Sequence, residues 1–199
     1  MKKLGLLVLA ITVIALMFSG SALAQGDNTY YFVTYYSNNV SGAPDGTVRI
    51  INDGSYTGDG GYLAADIYVF NNDQQLVTCG ACWISADGIL SEDVKTQLTN
   101  NPLQGAAQIP TNGVIKVISD PWGDPYTPPA GYSGLRGWAT HIQRATPTSG
   151  AYATTETQFS DSNLSSTEQL LLGDLCYFAL VELGSGQGTI TCTAEDHDF

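Results

Sequence analysis

Basic residues are what this chain has least of. Its 199 residues hold seven lysines and arginines and two histidines against nineteen acids, a formal net charge of −12. A surface so short of cations repels phosphate backbones and anionic lipid, which argues against nucleic-acid binding. Long apolar runs are missing after residue 18, so no later segment reaches the ~20 residues of a membrane-spanning helix. The GxSxG elbow of acyl-transfer enzymes is also missing, since Gly131-Tyr132-Ser133-Gly134-Leu135 lacks the closing glycine. The glycine-rich stretch from Gly184 to Gly188 follows a predicted helix and precedes a predicted strand, the reverse of a phosphate-cradling loop. No internal repeat, low-complexity linker or shift in composition marks a second domain.

The N-terminus reads as a secretory signal peptide. Lys2 and Lys3 precede an apolar run from Leu4 to Phe18 and a small-residue stretch ending at Ala24, where cleavage is expected. Removing both lysines takes the formal charge from −12 to −14. The expectation is an exported protein, periplasmic or extracellular, with residues 1–24 as signal and 25–199 as one domain outside the membrane.

Tyrosine, threonine, valine, glycine and asparagine dominate the rest, in short β-branched or aromatic runs separated by turn residues. This is the texture of an all-β domain. Strands are predicted over 29–36, 47–52, 62–70, 75–84, 114–119, 135–143, 153–159 and 188–193, with a hairpin at Asn71-Asn72-Asp73. Two stretches read as helix. Ser91 followed by Glu92 and Asp93 resembles a capped N-terminus closed off by Pro102, and Ser165 with Glu168 forms a capping box. Along the second helix Leu172, Leu175, Cys176, Ala179 and Leu183 share one face. The predicted fold is a single β-sandwich of about eight antiparallel strands with one or two short helices.

Export brings the chain to an oxidising compartment, where Cys79, Cys82, Cys176 and Cys192 allow two disulfides in three connectivities. Cys79 and Cys82 form a CxxC. Trp83 stands where a haem-attachment motif needs histidine, and the motif lies in a predicted strand rather than at the helix start a redox dithiol uses. Zinc would need Cys176, Cys192, His141 or His197 to complete a set, at spacings that do not suit it. Structural disulfides remain. Cys176 and Cys192 flank the Gly184–Gly188 turn and could pair, leaving Cys79 and Cys82 to close a tight ring at a bulge, or each member of the CxxC could take one distal partner.

Three further features bear on function. Asp53, Ser55, Thr57 and Asp59 alternate as oxygen ligands in the manner of a calcium loop, although Ala64 stands where the bidentate glutamate belongs. The loop from Asp120 to Gly134 carries Trp122, Tyr126 and Tyr132, flat side chains able to stack on sugar rings or apolar ligands, or to cover a sandwich edge. The strand over 29–36 contains no charge, so it must pair within its own sheet or with a neighbouring subunit. His141, in a predicted strand, reads as a half-exposed residue rather than a catalytic base.

The segments YVFNNDQQL, CGAC, GILSEDVKTQLTNNPL, GVIKVIS, LRGWATHIQ, TETQFSD, LSSTEQ and GSGQGTITC together resemble a family of uncharacterised secreted bacterial proteins that carry paired cysteines. The resemblance runs from about residue 47 to 192 and implies a secreted, disulfide-bearing domain, with no activity and no site residue attached. The expected function is a structural or interaction module of the cell exterior, with self-association by strand addition through 29–36. The alternatives are a ligand- or carbohydrate-binding module using the 120–134 loop, and a secreted hydrolase with a carboxylate pair to which no residue can be assigned. No cofactor is implied beyond the calcium loop.

Overall fold

The structure is a computed structural model describing residues 29–37, 42–103, 110–128, 131–144 and 152–192. The segment read as a signal peptide, and His197, lie outside these residues. Nine strands form among the described residues: β1 (Tyr31–Ser37), β2 (Thr47–Asn52), β3 (Leu63–Asn71), β4 (Leu76–Ile84), β5 (Ile89–Asp93), β6 (Asn112–Asp120), β7 (Leu135–Arg144), β8 (Tyr152–Gln158) and β9 (Ser160–Asp161). They make two antiparallel sheets, one ordered β4-β3-β6-β1-β9 and the other β5-β2-β7-β8. The domain is mainly β, as its composition predicts.

Alternation along the strands builds the interior. Phe32 and Tyr36 of β1, Leu63, Ala65, Ile67 and Val69 of β3, and Ile115 and Val117 of β6 meet Val48 and Ile50 of β2, Leu90 of β5, and Leu135 and Ala139 of β7. These residues fill the space between the sheets. The opposite face of the five-stranded sheet carries Tyr31, Tyr68, Phe70, Cys79 and Ile118, which bury Leu172 and Cys176 of helix α1 (Ser166–Tyr177) and Ala179 just beyond it. With a core on each side, all nine residues of β3 are buried.

Helix α1 begins as predicted, with the Ser165 hydroxyl accepting the N–H of Glu168 at 3.1 Å. It continues into one π turn, Phe178–Glu182. The wider turn shifts the facing register, which is why Leu183 does not join Leu172, Cys176 and Ala179 and stands exposed instead. The helix predicted from Ser91 is also corrected. Residues Ile89–Asp93 are β5, paired with β2 through Leu90↔Ile50 and Glu92↔Val48, and only Val94–Leu98 turns helically, as a single π turn. Glu92, which resembles a first-turn acid in the sequence, is fully buried between the sheets. The last predicted strand reduces to one bridge, Cys79↔Thr189, where the chain lies along the outer edge of β4.

The cysteines take the crossed connectivity, Cys79–Cys176 and Cys82–Cys192, so Cys176 and Cys192 are not partners. The pleat of β4 explains this. Residues three apart on a strand leave it on opposite faces, so Cys79 points at the helix and Cys82 into the sandwich. A bond between them is geometrically closed. All four sulfurs are consumed, which removes the redox and zinc readings and fits an oxidising environment. No helix among the described residues is long and apolar enough to cross a membrane.

Candidate functional site

Asp120, the last residue of β6, organises the loop that follows it. One of its carboxylate oxygens accepts the N–H of Trp122 at 2.9 Å and the other the N–H of Asp124 at 2.8 Å. Asp124 repeats the device, accepting the N–H groups of Tyr126 at 3.0 Å and Thr127 at 3.3 Å and the Thr127 hydroxyl. Burial works against ionising Asp124, but these donors outweigh it and hold its carboxyl below the ordinary aspartate value. The Tyr68 hydroxyl, pushed upward by burial, donates to the Pro125 carbonyl at 2.9 Å, and the Tyr132 N–H returns to the Ser119 carbonyl at 3.1 Å. The long loop is pinned down over its described length.

Pinning places the loop's aromatics in two groups. Trp122 stands edge-on to Tyr132 with ring centres 6.4 Å apart, and Tyr132 stands edge-on to Tyr56 at 5.4 Å. Trp122 is 60% exposed. It forms one wall of a cleft of about 370 Å³ lined by Asp59, Tyr62, Trp83, Pro121 and Trp122. Gly123 has φ +64° and would drive a Cβ to 2.8 Å from the Trp83 indole, so only glycine lets the loop pass this close. Tyr126 belongs elsewhere. Its ring meets Tyr177 edge-on at 6.0 Å over α1, where Gly173 permits the contact, because a Cβ there would lie 2.2 Å from the Tyr126 carbonyl oxygen.

The residues read as a calcium loop have separate uses. Asp53 accepts the N–H of Ser55 at 3.0 Å through one oxygen and faces the Arg136 guanidinium at 3.6 Å through the other. Asp59 sits in a one-turn 3₁₀ helix with φ 43° and borders the aromatic cleft. Among the described residues no three or more histidine, cysteine, aspartate or glutamate side chains are placed to hold a metal.

Three participants escape the sequence reading. The sequence puts Trp83 and Tyr62 in strands or at their ends and assigns neither to a site. Asp66 lies in the middle of β3, on the face that carries Asp120, and both carboxyls are fully buried. Neither is reachable by a substrate, so they do not form the hydrolytic pair that glycoside cleavage requires.

No protein-family model matches the chain, and no curated protein does. Among solved structures, the Anabaena sensory rhodopsin transducer is similar over 47% of this chain and 88% of its own, at 15% identity and a TM-score of 0.32. That likeness is too slight to bear on fold or function.

Proposed function

We propose that the protein is an exported binding domain whose ligand is a sugar or a comparable polyhydroxylated molecule, held in the cleft between Trp122, Trp83 and Tyr62. The observation that carries this reading is Trp122, a largely exposed indole held at the mouth of a preformed cleft by two backbone hydrogen bonds to Asp120. Indole faces stack on the C–H faces of pyranose rings, and the Asp59 carboxylate at the rim can accept hydrogen bonds from sugar hydroxyls. Preorganisation keeps the ordering cost of binding low. Glycan-array screening followed by calorimetry on the best ligand tests it. Trp122→Ala is expected to weaken binding at least about tenfold with stability changed by less than about 0.5 kcal/mol. Equal binding by wild type and variant across the array would overturn the assignment.

A second reading, an interaction module that assembles by strand addition, draws on one feature of β1. Its inner side pairs with β6 along its length, whereas β9 covers only Phe32 and Val33 on the other side. Beyond them a groove of about 440 Å³ runs past Thr34, Tyr35, Thr157 and Gln158, where an extended strand from a second copy would be taken up. Deleting β1 would unfold the core, so the test is Tyr35→Lys, which places a charge on that edge. Native mass spectrometry should then show oligomers in the wild type and monomer in the variant; the same species in both would sink this reading.

A further inference from the structure

Asp66 is an acid where an acid is costly. It sits in β3, a strand buried on both faces, with none of its side-chain surface in contact with solvent. Neither carboxylate oxygen accepts a hydrogen bond from any N–H or O–H group among the described residues. An unpaired buried carboxylate of this kind costs several kcal/mol. The register shows what stands beside it. Asp66 lies opposite Ile118 and Ala64 opposite Asp120, so Asp66 and Asp120 are diagonal neighbours on one face of adjacent strands. Their carboxyls lie within hydrogen-bonding reach of one another. Two carboxyl oxygens can bond only if one of them holds a proton.

The surroundings decide which one. Both Asp120 oxygens already accept backbone N–H groups, so Asp120 is held as an acceptor, while neither Asp66 oxygen accepts from an N–H or O–H group of the described residues and Asp66 is the member placed to donate. The other titratable groups on this face push the same way. Asp124 adds negative charge from the loop, and Tyr68 gives its proton to Pro125. From β4 come only uncharged neighbours, Ala81 opposite Asp66 and Trp83 beyond it. Lys116, opposite Tyr68, is committed to Glu168 and stands over the Phe70 ring at 4.8 Å, and Glu168 also takes the Tyr31 hydroxyl. Among the described residues on this face no other cation stands beside the pair to balance a second carboxylate. Burial first, then Asp120 and Asp124, holds the Asp66 carboxyl well above the ordinary aspartate range.

We infer that Asp66 keeps its proton at neutral pH and donates it to Asp120, and that this shared proton latches the Pro121–Tyr126 segment and with it the Trp122 wall of the cleft. When the proton leaves to solvent base, two carboxylates face each other in an apolar layer. The mobile response is the loop, because β3 and β6 are held by their ladders while the loop is held by Asp120 itself. Raising the pH through this deprotonation therefore loosens the cleft. The regulatory half of this inference rests on the cleft being the ligand site; the proton and the loop response do not.

The test uses the full chain with both disulfides intact and needs no ligand. Trp122 emission, isolated by subtracting a Trp122→Phe variant, is followed from about pH 6 to about pH 10, alongside the infrared C=O stretch of protonated carboxyls. The wild type is expected to show a one-proton transition in emission that coincides with loss of a carboxyl band. In Asp66→Asn, whose amide can donate to Asp120 at every pH, both are expected to vanish. An unchanged transition in Asp66→Asn, or no protonated carboxyl in the wild type at neutral pH, would overturn the inference. Should Asp66→Asn fail to fold, the infrared band of the wild type still decides the matter. Loss of that band on adding calcium at neutral pH would overturn it in favour of a metal site. Failure to find any sugar ligand leaves emission and infrared results standing, so the two proposals fail separately.

Discussion

Tyr35 of β1 and His141 of β7 stack face to face across the two sheets, ring centres 4.0 Å apart and planes within 11°. The His141 Nε2 shares a hydrogen bond of 2.8 Å with the Thr157 hydroxyl, and its Nδ1 is buried without a partner. Burial lowers the basicity of the ring below the ordinary histidine value. The unfolded chain therefore binds this proton more readily than the fold does, and stability falls as pH drops below about 6.5. His141→Phe, which keeps the stack and removes the proton site, should show a smaller loss than the wild type between pH 7 and pH 5 in urea-melt midpoints. Parallel pH profiles would show that His141 contributes nothing to acid sensitivity.

Asp66 acts with the opposite sign. Its folded proton affinity is raised, so the fold binds a proton that the unfolded chain has already lost, and its contribution to stability declines as pH climbs from about 4 towards its folded pKa. Asp66→Asn should be more stable than the wild type at pH 8, by a margin that shrinks on acidification. Chemical denaturation at three pH values reads this directly; a constant difference would contradict it.

Gly173 sets two known effects against each other. Alanine in a helix interior is worth up to about 1 kcal/mol over glycine, but its Cβ would lie 2.2 Å from the Tyr126 carbonyl oxygen, a backbone atom that cannot swing away. Overpacking costs of about 1–3 kcal/mol are expected to win. Gly173→Ala should melt lower than the wild type, and a higher melting temperature would mean that the loop yields freely.

Calcium should leave the melting temperature unchanged. Asp53, the first residue of the calcium-like run, already serves Ser55 and Arg136. A stabilisation that grows with calcium concentration would show that those contacts give way to a metal.

Removing either disulfide opens a loop of about 100 residues, worth up to ~4.7 kcal/mol on the chain-entropy argument. The two losses should differ in kind. Cys79→Ala with Cys176→Ala should raise hydrogen exchange in α1, and Cys82→Ala with Cys192→Ala should raise it near Ile190, which donates its N–H to Cys79. Identical exchange maps would mean that the staples act only on the unfolded chain.

The sheets were legible because their strands obey simple alternation between turn residues, as β2 and β7 do. The β5 strand was hidden by chemistry shared between two structures, since Ser91-Glu92-Asp93 satisfies a helix cap as well as it satisfies a ladder. The disulfide pairing was half legible. Once Leu76–Ile84 is read as a regular strand, the spacing of Cys79 and Cys82 already forbids a bond between them, but the distal partner of each depends on which layer α1 covers. Trp122 and Tyr132 could be named from composition and exposure of the loop. Their separation from Tyr126 could not, because it follows from Asp120 and Asp124 turning the backbone twice, a three-dimensional event with no local signature. Asp66 was silent because an acid in a strand usually marks the solvent face, and only the helix and loop packed on that face make it buried.

The crossed disulfides carry a consequence for the order in which the protein is made. Partners stand 97 and 110 residues apart, so at roughly 5–20 residues per second Cys79 and Cys82 wait on the order of 5 to 20 seconds for Cys176 and Cys192 to be synthesised. During that interval each is the other's nearest thiol. A bridge formed between them at that stage is one that the pleat of β4 forbids, and it would have to be exchanged before the strand could form. The crossed pairing is therefore reached either by oxidation after Cys176 and Cys192 are present or through thiol–disulfide exchange.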